Sequence, residues 1–266
     1  MQDSILIIGI SSDIGINLAK LYQEKGYLVY GTARDSSQIN TIENTKIFNL
    51  DFSKPESISD CAKLILNDGI TFSKVIFSIG LLSPIGNFFD LDFDEWQASF
   101  AINSLHQLKF LHILRPLLSQ GSSVIFFHGG APNGVLVNYS AYSLAKVTLA
   151  KFVEYLDAED SGVSYFILGT GWVRTKLHNQ SIDAGSKAGI NFSRTKEFLE
   201  NDHKGTSFQE IFDCINWFSE KGKKVAGGRN FSIVSDAWGD KSDKSSALVD
   251  ELILDADMYK LRRYKN

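Results

Sequence analysis

What constrains this chain most is a rhythm: short β-branched and aromatic runs alternate with longer amphipathic stretches along most of its length. Ser4-Ile-Leu-Ile-Ile-Gly9 reads as a buried strand, followed by a helix over roughly Ile14 to Lys25. Leu28 to Thr32 and Lys46 to Leu50 read as strands, and Pro55 to Asn67 as a helix with proline in its first turn. Lys74 to Ser78 is the fourth strand, Asp94 to Ser119 a long helix and Val124 to Phe127 the fifth strand. Ala141 to Ala158 is a further helix and Ser164 to Leu168 the sixth strand. Thr175 to Gly205 reads as polar and irregular, Ser207 to Lys221 as a helix, and Asn230 to Val234 as a last strand.

Such alternation specifies a parallel sheet, because parallel neighbours need crossover connections and those connections cover both faces. The expected fold is α/β, a Rossmann-like doubly wound parallel sheet in three layers. No Pro/Gly/Ser linker divides the 266 residues, so one domain is expected over 1–266. About 175–206 would cover a substrate, and about 235–266 would form a C-terminal extension.

Composition narrows the class. The net charge of −4 offers no basic field, and Lys/Arg clusters with interleaved aromatics are lacking, so nucleic acid is not an expected partner. The basic tail Lys260-Leu-Arg-Arg-Tyr-Lys265 is short and reads as a docked or frayed terminus. Cys61 and Cys214 show no CxxC spacing and read as reduced core thiols, which suits the cytoplasm. Asp3 stands where a secretory signal would be basic, and no apolar run is long enough to span a membrane.

In a sheet of this kind the first strand-helix turn is where a dinucleotide pyrophosphate sits, held by backbone N–H groups and the helix N-terminus. Here the turn is Gly9-Ile-Ser11-Ser12-Asp13-Ile14-Gly15, with Asp13 a candidate N-cap. After the second strand an acid would select NAD and an arginine the 2′-phosphate of NADP. The chain has Ala33 and then Arg34, so NADP(H) is expected rather than NAD(H), although Asp35 follows. Far downstream, Tyr142 and Lys146 lie four residues apart, on one face of a predicted helix. There an ammonium would lower the pKa of a phenol and fit it for proton transfer at a carbonyl or alcohol. By itself this spacing is weak evidence.

Together these segments resemble the short-chain dehydrogenase/reductase family, from Ile5 to about Thr175. The family's turn reads Gly-x-x-x-Gly-x-Gly, with Asp13 at the middle glycine. The resemblance implies that Asp51, in Leu50-Asp51-Phe52-Ser53, holds the adenine amino group. Phe77-Ser78-Ile79-Gly80 keeps only the last residue of the family's Asn-Asn-Ala-Gly. Asn103 matches an asparagine whose backbone carbonyl holds a water in a relay to the lysine. Thr170-Gly171-Trp172-Val173-Arg174-Thr175 resembles Pro-Gly-x-Val-x-Thr, which cups the nicotinamide amide. The implied reaction is hydride transfer between nicotinamide and a carbonyl or secondary alcohol, with Tyr142 as acid/base and Lys146 holding the ribose. A homodimer or homotetramer is implied as well.

The family's serine, thirteen or fourteen residues before the tyrosine, has no counterpart. That stretch reads Phe127-His128-Gly129-Gly130. Two readings stand for His128: a replacement donor to the substrate oxygen, or a space-filling ring satisfied by backbone. The first keeps an enzyme; the second admits a dinucleotide-binding sensor or scaffold without turnover. A redox-neutral sugar epimerase ranks last. No carboxylate pattern completes a metal site around His106 or His112. His178, His203 and Trp172 are weaker candidates for substrate contact. A Gly-Arg…Asp-x-Trp stretch from Gly228 to Trp238, with the Leu-Arg-Arg tail, resembles reductases of modified-sugar pathways. That likeness and the polar 175–205 segment suggest a sugar-related substrate.

Overall fold

A computed structural model describes residues 3–36, 42–129, 134–201, 205–239 and 244–262. In chain order the elements begin with β1 (Ser4–Ile8), α1 (Asp13–Glu24), β2 (Leu28–Ala33), β3 (Lys46–Asn49), α2 (Pro55–Asp68) and β4 (Phe72–Phe77). They continue with α3 (Phe93–Phe100), α4 (His106–Leu114), β5 (Leu118–His128), α5 (Ser140–Glu159) and β6 (Ser164–Gly169). Then follow α6 (Asn179–Asp183), α7 (Ile190–Glu200), α8 (Phe208–Lys221), α9 (Lys223–Ala226), β7 (Asn230–Ser232) and α10 (Ser245–Leu254).

The seven strands pair in the order β3-β2-β1-β4-β5-β6-β7, every pair parallel. Alternate residues of the central strands go to opposite faces. Ile5, Ile7, Ile76, Ile125 and Phe166 pack with α1, α8 and α10, whereas Leu6, Val75, Val124, Phe126 and Tyr165 pack with α2, α4 and α5. Two cores on one sheet make the expected three layers. The chain winds outward in both directions from β1 and β4, so the crevice beyond their carboxyl ends is where ligands bind in open sheets.

Three local expectations change. The described part of 175–205 is largely helical: a 3₁₀ turn at Lys176–His178, then α6, a second 3₁₀ turn at Gly185–Ala188, and α7. The sequence reads as irregular there because Gly185 and Gly189, both at positive φ, cut it into pieces too short to show a period. The long helix of 94–119 is interrupted by a π turn at Ala101–Leu105 and ends in a 3₁₀ turn at Arg115–Leu117, where Pro116 cannot continue it. The N-cap of α1 is Ser12, whose hydroxyl accepts from Gly15 N–H at 3.0 Å; Asp13 is the first residue inside the helix.

Candidate active site

Gly9 closes β1 at φ +81°, and its N–H donates to Thr32 O at 3.1 Å. A Cβ on Gly9 would lie 2.4 Å from the Ile79 side chain, and one on Gly15 would lie 2.6 Å from the Gly9 carbonyl oxygen. Glycine at 15 lets the helix press against the turn, and glycine at 9 lets the loop after β4 come close. Ser11 is exposed in the turn, and the amides of Asp13 and Ile14 precede the first intrahelical bond, Ile16 N–H to Ser12 O. They stand at the positive end of the helix dipole, as an anion requires. This cradle, which a side chain would fill, fits a dinucleotide pyrophosphate.

Two contacts across the crevice were not legible in the sequence. Ser78, where the resemblance expects asparagine, shares a 2.8 Å hydrogen bond with the Ser12 hydroxyl and reaches the carbonyl oxygens of Ile8 and Gly9. The Asp13 carboxylate accepts from the Lys176 backbone N–H at 2.6 Å, with the Lys176 ammonium 3.7 Å away. Asp13 thus spans from the turn to the segment that follows β6.

Arg34 is exposed just past β2. Asp51 lies in the loop after β3; its carboxylate accepts from the Ser53 N–H and hydroxyl at 3.0 and 2.7 Å. Burial raises the Asp51 pKa, but Ser53, Lys54 and Arg34 outweigh it and hold the carboxyl below its ordinary value. Phe52 is buried edge-on against Phe110, and its carbonyl meets His106 Nδ1 at 2.6 Å.

Tyr142 and Lys146 lie in α5, both buried, and converge beyond β4 and β5. Lys146 Nζ donates to Ile79 O at 3.0 Å and stands 5.7 Å from the centre of the Tyr142 ring. The Gly129 backbone hydrogen-bonds the phenol. Burial pushes the Tyr142 phenol up to about 12 and the Lys146 ammonium down to about 7. Asn103 is fully buried in the π turn. Its amide donates to Leu81 O at 2.7 Å while its oxygen accepts from Leu81 N–H at 2.9 Å, clamping the loop after β4.

His128 ends β5 on the same sheet face as Phe126, with a ring nitrogen against Gly129 O and the other against Asn230 Oδ1. Burial lowers its pKa, and the neutral ring has a single N–H to give. With Nδ1 donating to Gly129, the Asn230 amide must turn its NH₂ toward Nε2. Both nitrogens are then committed within the protein.

Gly171 takes φ +66° between β6 and Val173, and a Cβ there would lie 2.6 Å from the Val234 side chain. Val173 is buried, and its carbonyl accepts from His178 Nε2 at 2.8 Å. Thr175 opens the 3₁₀ turn at Lys176. Trp172 stacks on His178, with ring centres 5.3 Å apart, and Phe198 closes the trio. Gly80 is less constrained, since a Cβ there would meet Leu177 at an ordinary 3.4 Å. His203 lies outside the described residues. Among the described residues no group of three or more His, Cys, Asp or Glu is placed to hold a metal, and no helix is long and apolar enough to cross a membrane.

Known proteins resemble this chain in sequence and fold. A family model described as enoyl-(acyl carrier protein) reductase matches residues 9–211. A short-chain dehydrogenase/reductase of Pestalotiopsis microspora is 28% identical over 181 residues, covering 66% of this chain and 61% of that protein. The chain thus matches less than two thirds of that relative's length. The NADH-named enoyl-acyl-carrier-protein reductase of Enterococcus faecalis is 24% identical over 84% of this chain and 93% of its own. Among solved structures, a short-chain dehydrogenase/reductase of Saccharomyces cerevisiae has a TM-score of 0.78 at 18% identity, covering 90% of this chain and 99% of that one. A short-chain dehydrogenase of Shigella flexneri complexed with NADP has a TM-score of 0.71 at 20% identity, covering 87% and 96%.

Proposed function

This chain belongs to the short-chain dehydrogenase/reductase family, and from that premise we propose an oxidoreductase transferring hydride between NADP(H) and a carbonyl or secondary-alcohol carbon. One observation carries the reading: a buried tyrosine and lysine from one face of α5 meet beside a glycine cradle at the carboxyl ends of β1, β4 and β5. Bound along that cradle, a nicotinamide cofactor supplies or accepts the hydride. Gly9 to Gly15 would hold the pyrophosphate and Arg34 the 2′-phosphate, with Asp51, Phe52 and Gly80 toward the adenosine. Gly171, Val173 and Thr175 would hold the nicotinamide amide.

In the reduction direction Tyr142 gives its proton to the carbonyl oxygen. Lys146 would hold the ribose and return a proton to the phenol, through the relay that Asn103 would steady. We assign His128 a positioning role. Its ring holds the Gly129 carbonyl, on the residue whose N–H meets the phenol, and links that residue to Asn230 in β7. Arg34 supports NADP(H) over NAD(H). The Shigella relative holds NADP and the Enterococcus one is named for NADH, so relatives alone do not choose.

The fold serves as one unit over 1–266, with 175–206 as cover and 235–266 as extension, in a cytoplasmic protein. The exposed apolar side chains Leu105, Leu144, Phe152 and Tyr155 of the π turn and α5 support a homodimer or homotetramer. The test is NADPH and NADH binding by fluorescence, then NADPH oxidation across a carbonyl panel, with Tyr142→Phe alongside. Tight NADPH binding with no Tyr142-dependent turnover would favour the second reading, a dinucleotide sensor. That reading draws on the committed His128 ring and the near-enclosure of the phenol, which is 7% exposed.

A further inference from the structure

Around Tyr142 the protein builds a third apolar cluster, separate from the two sheet cores. The phenol ring packs with Leu82 and Ile85 from the loop after β4, and with Tyr139 and Ala188. Leu136, Leu177 and Phe192 pack against the same group. Three chain segments thus turn apolar side chains toward the one group that would touch a reacting carbonyl.

Four polar side chains of the covering segment are spent on the protein. Gln180 Oε1 accepts from the N–H groups of Leu82 and Ser83 at 2.9 and 3.1 Å. Ser181 Oγ accepts from Tyr139 OH at 2.8 Å, His178 meets Val173 O at 2.8 Å, and Asn191 donates to Val137 O at 3.2 Å. These are the groups that make 175–205 look suited to a hydroxylated ligand in sequence. Folded, they lace the cover to the loops beneath it.

The apolar character continues outward along the same three segments. Phe88 and Phe89 follow Ile85, Val135 and Val137 flank Leu136, and Ile190 precedes Phe192; Phe89 and Val135 are 90% and 91% exposed. Gly86 N–H to Asn138 O and Trp96 Nε1 to Ser140 Oγ tie this rim to the start of α5. Exposed apolar patches mark ligand grooves as well as partner surfaces, and this one is continuous with the cluster around Tyr142.

We infer that the substrate is an uncharged carbonyl compound with an apolar body, alkyl or aryl, seated among Leu82, Ile85, Leu136 and Phe192, rather than a keto-sugar. The inference rests on the carbonyl-reductase reading above and adds the substrate class to it. A sugar hydroxyl set against Leu82, Ile85, Leu136 and Phe192 would lose water and gain no hydrogen bond from those side chains. A single added hydroxyl in an apolar pocket is rejected about 10²-fold.

The test uses the full chain loaded with NADPH. Alkyl- and aryl-ketones and keto-sugars are compared by kcat/KM and, independently of turnover, by calorimetric binding. Apolar ketones should exceed keto-sugars at least tenfold in both. Phe192→Asn should raise KM for the apolar ketone at least tenfold, Phe192→Leu should restore it, and NADPH affinity should not move. Keto-sugars turned over as well as apolar ketones, or no saturable binding of apolar ketones, would overturn the inference. Saturable ketone binding without Tyr142-dependent NADPH oxidation would instead sink the enzymatic reading and leave the ligand class standing.

Discussion

The spacing of Tyr142 and Lys146 suggests that the ammonium draws the phenol toward neutrality, by roughly 4 kcal/mol for charges about 4 Å apart at an effective dielectric near 20. In the folded chain the ammonium is turned to Ile79 O and burial dominates both groups. The phenol, pushed up to about 12, keeps its proton at neutral pH and is poised to donate it, which suits carbonyl reduction. Tyr142→Phe should lower kcat by ~10²–10⁴ with NADPH affinity unchanged, measured by turnover and fluorescence titration. Lys146 titrates near 7, against 10.5 for an ordinary lysine. Its charged form is present below about 7, so a reduction that needs the ammonium should slow as pH rises through that value. The step should be absent from the pH profile of Lys146→Met. For stability the sign is the reverse. The unfolded lysine binds a proton between about 7 and 10.5 and the folded one does not, so its contribution grows with pH across that window.

At the level of elements, the same residue type carries different weights. Gly15→Ala would drive a Cβ to 2.6 Å from Gly9 O and 2.8 Å from Ile10 Cα, where backbone rather than a flexible side chain must yield. It should cost about 1–3 kcal/mol of stability and weaken NADPH binding at least tenfold, read by denaturant melts and titration. Gly80→Ala meets only Leu177 at 3.4 Å and should leave NADPH binding within about twofold. Sequence reasoning ranks the two glycines alike, because motif position does not report what lies across the turn. The π turn at Ala101–Leu105 is a further case. Asn103 is recognisable in the sequence, but the clamp it makes on Leu81 depends on two loops meeting after the sheet has closed.

For the molecule as a whole, the C-terminal extension is held by one buried cation. The Arg229 guanidinium donates to the carbonyls of Lys224, Val225, Leu252, Asp255 and Met258, joining α9, α10 and the tail. Removing it in Arg229→Leu leaves buried carbonyls without donors, each worth ~1–3 kcal/mol. A loss of about 3–5 kcal/mol should appear as a drop in Tm of roughly 10 °C, since ~2–4 °C follows each kcal/mol in chains of this size. The unmutated site at β1, β4 and β5 should keep its NADPH affinity at low temperature in that variant. The sequence shows Gly-Arg-Asn at this point but not five carbonyls converging on it from distant positions.

Periodicity, the turn glycines and the Tyr142–Lys146 spacing are local patterns. They sufficed for the parallel three-layer sheet, because a strand's burial and a helix's stripe are written in neighbouring residues. They also picked out Gly9, Gly15, Tyr142 and Lys146, which the fold brings to the carboxyl ends of the strands. What the local pattern could not carry was partnership over long separations: Ser12 with Ser78, Asp13 with Lys176, His128 with Asn230, and Gln180 with Leu82. Only the closed fold decided whether a polar side chain faced a ligand or a backbone amide. That choice turned a segment that reads as hydrophilic into the cover of an apolar cluster.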